Sequence, residues 1–473
     1  MSKPLILLID LPVYPKGILS LSLYVVASCL EKIFETEILD LNLEDEKKIL
    51  WGKYACFGIK VSAQNYRHAI VITEKVRANN PHAKVIWGGE FPTLLPHEAG
   101  KYADITICGL FENIADDFIA DWQSGKIKKI YISGRETPHS FTSPKWDLLK
   151  NYHAYSSVMG MPLETSRGCT EKCSFCMVHI MQQKPYALKD YEKLNNELKC
   201  YSGRFVNIID YNFGVSKEHV IRVSSLLKKN HVSGWMAEMC IEFLDDEEIL
   251  HALRDSNCKI IYCGLETIDD NALRSIHKMH TNIIDNYERI INKAQSYGIQ
   301  IGAGYILGLE NTTSDTFKNT LAFFQRNKIL YAKLTFLTYN PGSKAYQYMA
   351  KKGTYKAKEY SFYDGIHLSY LPHGVNEELV MEGAKYFIKQ FYSPSSIAMR
   401  IFPQKKLSFN AKLELFAFVW LYSSVYRDWV KNGLLEIPQN EEYFSKKLLS
   451  VKYQKSFSNK MLEKLVEFCR RYH

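Results

Sequence analysis

Three cysteines, Cys169, Cys173 and Cys176, stand with three and then two residues between them, in a stretch that opens Ser166-Arg167-Gly168 and carries Phe175 just before the last thiol. From the first sulfur to the last the extended chain reaches roughly 23–25 Å, so a loop that curls brings all three onto one small inorganic object. Thiolates are soft ligands, suited to iron–sulfur clusters or zinc. Three ligands on a four-iron cluster leave one iron open, and an open metal position is where chemistry happens. His179 follows Cys176 by three residues and completes an alternative Cys3His zinc set. Three unrelated buried cysteines are the remaining reading.

The elements that must position this loop read as two α/β units. Leu5–Ile9 is a continuous apolar run, as a parallel strand buried on both faces should be. Residues 21–32 are periodic as a helix, and residues 37–41, 56–61, 84–87 and 104–108 read as further strands. Helices are expected over residues 67–79 and 114–122. This alternation over residues 1–134 implies a doubly wound, Rossmann-like parallel sheet whose ligand lies beyond the C-terminal strand ends. Gly88, Gly89 and Gly109 follow strands, where a missing Cβ permits close backbone approach. Residues 135–162, broken by Pro138 and Pro144, read as a linker.

Residues 163–345 alternate again. A short strand enters the cysteine loop at Leu163–Ser166 and a helix is expected near 188–200. Strands are expected at 205–209, ending at Asp210; at 235–241, bearing Glu238; at 259–263, running into Gly264-Leu265-Glu266; at 299–307, ending at Gly308; and at 332–337. Helices fall between them at 219–229, 246–255, 286–297 and 316–326. Six strands interleaved with helices predict a partial (βα)6 barrel with its site at the C-terminal strand ends. Residues 346–473 read as mostly helical. Their most apolar stretch, Leu413–Tyr422, has basic neighbours and either packs on the barrel or lies on a membrane surface near a lipid substrate.

Composition sets outer bounds. A chain of 473 residues supports two or three domains, each with a sizeable core. Its +9 net charge is modest for the length and no block of five like charges occurs, so nucleic acid is not an expected partner. The eleven cysteines are an odd total, the other eight lack paired spacing, and Met1-Ser2-Lys3-Pro4 begins no signal peptide; together these predict a reducing, cytoplasmic setting. No run reaches the ~18 apolar residues of a membrane span.

The cysteine spacing, with Phe175 before Cys176, resembles the signature loop of the radical S-adenosylmethionine (radical SAM) enzymes. The resemblance spans the segment expected to form the barrel, where Gly264-Leu265-Glu266 and the run from Gly304 to Gly308 are similar to recurring family segments. It implies that Cys169, Cys173 and Cys176 hold a 4Fe–4S cluster whose open iron chelates S-adenosylmethionine, and that an electron from a flavodoxin- or ferredoxin-like donor releases a 5′-deoxyadenosyl radical. Glu266 would then reach the ribose or methionine part, Gly308 would let adenine pack close, and Asp210 would recognise the methionyl amino group, with Phe175 beside them. Gly88-Gly89-Glu90-Phe91-Pro92-Thr93, the turn Gly109 to Glu112, and Ser62 resemble the cobalamin-binding domain that precedes one large subgroup, although Leu110 and Phe111 depart from its pattern. The loop from Asp10 to Gly17 contains no His, so bound cobalamin would lack a lower ligand from it. The implied activity is methylation of an unactivated carbon of a small molecule, peptide or lipid; the alternatives are cyclisation or oxidation without methyl transfer, and a non-catalytic zinc protein. A methylthiotransferase would need a second cluster on N-terminal cysteines, but Cys29 is expected in a helix and Cys108 inside a strand.

Overall fold

The computed structural model describes residues 3–13, 19–134, 141–150, 152, 155, 160–181, 186–278 and 283–432. Its N-terminal sheet contains β1 (Leu5–Asp10), β2 (Glu35–Asp40), β3 (Cys56–Lys60), β4 (Lys84–Gly88), β5 (Ile105–Cys108) and β6 (Ile130–Ile132), in the order β2-β1-β3-β4-β5-β6. Every pairing is parallel. Successive residues of β1 serve opposite faces: Leu7 and Ile9 join one core with Phe57, Val85 and Trp87, while Ile6 and Leu8 join the other with Ile86, Ile105 and Ile107. The continuous apolar run of β1 is thus explained by helices on both faces. Helices Ser22–Leu30 and Ala115–Ser124 cover one, and Tyr66–Asn79 covers the other. Cys29 lies in the first of these helices and Cys108 in β5. The sixth strand was not foreseen from sequence, because three residues are too few for alternation to register.

β7 (Met161–Leu163) begins the second sheet and leads into a two-stranded antiparallel ribbon, β8 (Ser166–Gly168) with β9 (Tyr186–Leu188). The sheet continues with β10 (Phe205–Ile208), β11 (Gly234–Glu238), β12 (Cys258–Glu266), β13 (Gln300–Leu307) and β14 (Tyr331–Phe336). Their order, β7-β10-β11-β12-β13-β14, is strictly sequential and parallel, which is the expected (βα)6 arc. Four of the helices between them start where Asp190, Ser216, Asp246 and Thr313 accept hydrogen bonds from free first-turn N–H groups. The Asp190 cap explains why Leu188, expected in a helix, falls in β9 instead. The strand expected to run to residue 241 stops at Glu238, and a 3-10 turn follows over Ile241–Asp245. Asp269 caps a further short helix, Asp270–Ser275.

The C-terminal region adds a hairpin, β15 (Gly353–Tyr355) with β16 (Tyr370–Pro372), and helices Glu377–Phe391, Pro394–Ile401 and Phe409–Asn432. These helices close the open edge of the arc. An unpaired edge strand exposes N–H and C=O groups that must find partners. On β14 the Tyr392 hydroxyl accepts from Ala332 N–H at 3.0 Å and donates to Ala332 C=O at 2.5 Å, and the Tyr426 hydroxyl accepts from Leu334 N–H at 3.0 Å. Just before the strand, buried Arg400 donates to the carbonyls of Ile329 and Leu330. The apolar stretch Leu413–Tyr422 therefore packs on the barrel, with Val419, Tyr426 and Trp429 of its helix in the main core. Among the described residues no helix is long and apolar enough to cross a membrane.

Candidate functional site

Asp210, just past β10, fixes the entry to the cysteine loop. Its carboxylate accepts from Thr165 N–H at 2.7 Å, Thr165 Oγ1 at 2.5 Å and Ser166 Oγ at 2.6 Å. Burial raises its pKa to about 6, against the pull of these donors. Behind it His219, fully buried and pushed down to about 4 by desolvation, is neutral. Since Thr165 Oγ1 gives its proton to Asp210, His219 Nε2–H donates to that oxygen at 2.9 Å and Nδ1 accepts from Tyr191 O–H at 3.1 Å. The oxygens of Asp210, the residue expected near the methionyl amino group, are turned onto the segment that opens the loop.

Within the loop, Cys169 is buried and Cys173 and Cys176 are half-buried. Burial raises all three thiols, Cys173 to about 12 and Cys176 to about 11; Cys173 also feels Cys176 and Cys169, Cys176 also feels Cys169, and Lys278 works in the opposite direction on all three. Soft metal ions relieve this penalty by binding the thiolate. Among the described residues no three His, Cys, Asp or Glu side chains close on a point that would hold a single ion. The side chain of His179 lies outside those described. Ser174 N–H donates to Ile276 C=O at 3.1 Å, and Phe175 packs against the cluster of Ala272, Leu273, Ile276 and Tyr339.

Glu266 ends β12 at φ +64°, a left-handed conformation rare for a residue with a side chain. Lys278 clamps it, donating to Glu266 Oε1 at 2.7 Å and to Gly264 C=O at 2.8 Å. Burial pulls the Lys278 ammonium down, but Glu266 and Cys173 outweigh it and hold it above the usual lysine range. Sequence reading missed Lys278, a lone lysine after a strand end. Gly308 has φ +78°, but a Cβ there would meet Val380 at only 3.5 Å, so the position needs backbone freedom more than space.

On the N-terminal sheet, Gly89 adopts φ +108° and an added Cβ would lie 2.8 Å from Val61 C=O; Gly109, at φ +83°, would meet Ser133 Cβ at 2.9 Å. Gly88 is uncrowded. Thr93 ties the two turns together, accepting from Gly109 N–H at 2.9 Å and donating to Gly89 C=O at 2.6 Å. Ser62 Oγ and Asn65 Nδ2 are buried with no hydrogen-bond partner among the described residues, an arrangement that calls for a ligand or water. Glu112 lies elsewhere: its carboxylate receives Arg167 Nη2–H at 2.6 Å.

These parts meet at a cavity of about 510 Å³, a size suited to small organic ligands. Ser62, Gln64 and Glu90 form one wall, Phe175 and Met177 of the cysteine loop another, and Glu238, Tyr262, Glu266 and Lys333 the barrel side. Asp364 closes the remaining side, held low in pKa by His367 and the backbone N–H groups of Ile366 and His367 against the effect of its burial. The Glu238 side chain is open to the cavity but walled in, and desolvation raises it to about 6; Glu90, facing Asp364, rises to about 7. None of Glu90, Lys333 or Asp364 carried a sequence signal of its own.

An open parallel sheet facing a (βα)6 arc across a shared cavity, with three thiols at its edge, defines an α/β cofactor enzyme. Residues 163–324 match the Radical SAM superfamily, so this part of the chain is a radical SAM domain. Among similar proteins are bacteriochlorophyllide d C-12(1)-methyltransferase of Chlorobaculum tepidum, 24% identical over 80% of this chain and 84% of that protein, and the C-8(2)-methyltransferase of the same organism, 23% identical over 75% and 81%. Among solved structures, the radical SAM methyltransferase TsrM of Kitasatospora setae, with cobalamin and a [4Fe–4S] cluster bound, superposes with TM-score 0.63 at 14% identity over 89% of this chain and 99% of TsrM. The enzyme OxsB, with aqua-cobalamin and S-adenosylmethionine bound, gives 0.65 at 14% over 99% and 75%. Both share the fold of this chain.

Proposed function

We propose that this chain is a cobalamin-dependent radical SAM methylase of an unactivated carbon. The observation that carries the reading is the single cavity walled by the cysteine loop, the barrel strand ends and the loops after β3 and β4. The donor set fits a 4Fe–4S cluster, and Cys169, Cys173 and Cys176 would hold it through three sulfur ligands. The orphan Ser62 Oγ and Asn65 Nδ2, with the close approach that Gly89 allows, fit a corrinoid edge rich in amides. When bound, the cluster supplies the electron that splits the sulfonium, and the corrinoid supplies the transferable methyl. The chain's own residues do the rest. Asp210 fixes the loop, Lys278 fixes Glu266 beside S-adenosylmethionine, and the facing walls exclude water and orient the substrate, a small molecule, peptide or lipid, between the cofactors. A flavodoxin- or ferredoxin-type protein serves as the one-electron donor.

The test needs no substrate. Anaerobically reconstituted chain, given a strong reductant, hydroxocobalamin and S-adenosylmethionine labelled in the methyl group, should form S-adenosylhomocysteine and carry label into the corrinoid fraction. Slow 5′-deoxyadenosine formation should depend on the three cysteines. Deoxyadenosine without S-adenosylhomocysteine or label transfer would favour cyclisation or oxidation, and stoichiometric zinc in place of iron would favour the non-catalytic reading.

A further inference from the structure

Arg167 stands two residues before Cys169 and is held between carboxylates from both units of the molecule. Its Nη2 donates to Glu112 Oε1 at 2.6 Å and to Glu164 Oε2 at 2.7 Å, its Nε donates to Glu164 Oε1 at 2.7 Å, and its guanidinium carbon lies 4.6 Å from the centre of the Phe141 ring. The Arg167 and Glu112 side chains are 3% and 5% exposed, so this pair is desolvated. Removing one partner of a buried ion pair leaves the other charge unpaired and desolvated, so the pair resists separation. The cysteine loop and the turn carrying Glu112 therefore hold their positions jointly.

That turn is linked to the N-terminal wall of the cavity through Thr93 and Gly89. Glu112 follows Gly109, whose N–H is bound by Thr93; Thr93 is bound to Gly89; and Gly89 packs on Val61, next to Ser62. Asn113, beside Glu112, donates to Ser133 Oγ at 3.0 Å, and Ser133 is the residue against which Gly109 packs. Each link is a short polar bond or a contact with no spare room.

We infer that Glu112 and Arg167 are positioning residues that couple occupation of the corrinoid crevice to the cluster loop, so that each cofactor strengthens retention of the other. This rests on the corrinoid reading above. Coupling between two binding sites is reciprocal, so it is read equally well from either ligand.

The experiment measures hydroxocobalamin affinity by equilibrium dialysis, with bound cobalt quantified by emission spectroscopy, for the full chain with and without its reconstituted cluster. In the unaltered chain the cluster should tighten binding by about fivefold or more. Glu112→Gln, which leaves the Glu164–Arg167 pair in place, should keep the cluster-free affinity while that ratio falls to about one. Arg167→Lys, which keeps the cation but loses the fork that bridges both carboxylates, should lower the ratio in the same way and serves if Glu112→Gln misfolds. A ratio that persists in both variants means that the cofactors touch directly, and the inference fails. Equal weakening with and without the cluster means that the pair is only structural, and the inference fails. Binding with no difference in the unaltered chain overturns the inference alone, whereas no binding at all overturns the corrinoid reading with it.

Discussion

Two six-stranded parallel sheets of the same chemistry make opposite kinds of wall. In the N-terminal sheet the order reverses: the chain steps from β1 out to β2, then back across to β3. Loops leaving β1 and β3 diverge, which opens a crevice between them. In the barrel the order never reverses, so the sheet curls into an arc and its concave side fills with side chains. The crevice presents backbone, glycines and two orphan polar atoms, as suits a large preformed cofactor. The arc presents Glu238, Glu266 and Lys333, with Lys278 clamping Glu266, as suits groups that must be oriented and charged. Strand order alone separates a surface that cradles from one that grips.

The largest effect should come from removing the thiols. Replacing Cys169, Cys173 and Cys176 together by Ala should take iron from about four per chain to none and deoxyadenosine formation to background, while cluster-free hydroxocobalamin binding at the crevice is unchanged. Loss of corrinoid binding as well would break the separation of the two walls.

Next, Asp210→Ala strips the acceptor from one N–H and two hydroxyls in a buried site. It should destabilise the barrel by about 3 kcal/mol or more. Urea unfolding followed with probes in each sheet should show the barrel transition moving to lower urea and the N-terminal one staying in place. Gly89→Ala tests the other wall: the clash with Val61 and the left-handed φ should cost about 2–3 kcal/mol and weaken hydroxocobalamin binding. Gly125→Ala, with φ +71° and nothing within 4 Å, is the control at about 1 kcal/mol. Equal losses at the two glycines would remove the packing argument for Gly89.

A smaller effect belongs to the edge of the arc. Tyr426→Phe leaves the Leu334 N–H without its acceptor, at about 1 kcal/mol, and hydrogen exchange at the Leu334 amide should accelerate. The smallest concerns protons. Glu238 and Glu90 titrate near 6 and 7 when folded, above ordinary glutamate. Between about pH 4.5 and 7 the native chain therefore binds more protons than the unfolded chain, so stability falls as pH rises through that window. Glu90→Gln should flatten the upper part of the fall, by about 1 kcal/mol after allowance for partial exposure; a profile unchanged by the substitution would place Glu90 in ordinary solvent.

The sequence by itself determined the local features. Three thiols within one short loop can share a single object because the chain between them is short, and apolar runs alternating with helical periodicity require parallel sheets flanked by helices. Strand ends rich in glycine marked where the backbone needs freedom, and Gly89 and Gly109 adopt positive φ and pack against Val61 and Ser133. Partners across long separations were decided by tertiary structure alone. The carboxylate of Glu112 meets Arg167, 55 residues on, and that of Asp210 accepts from Thr165 and Ser166. A buried charge takes whatever donor the packing brings within reach, because desolvation penalises it until one arrives. Which donor that is depends on where distant strand ends converge, and local spacing carries no record of it. The same reason kept Lys278, Glu90 and Asp364 out of sight until both sheets and the C-terminal segment were folded around one cavity.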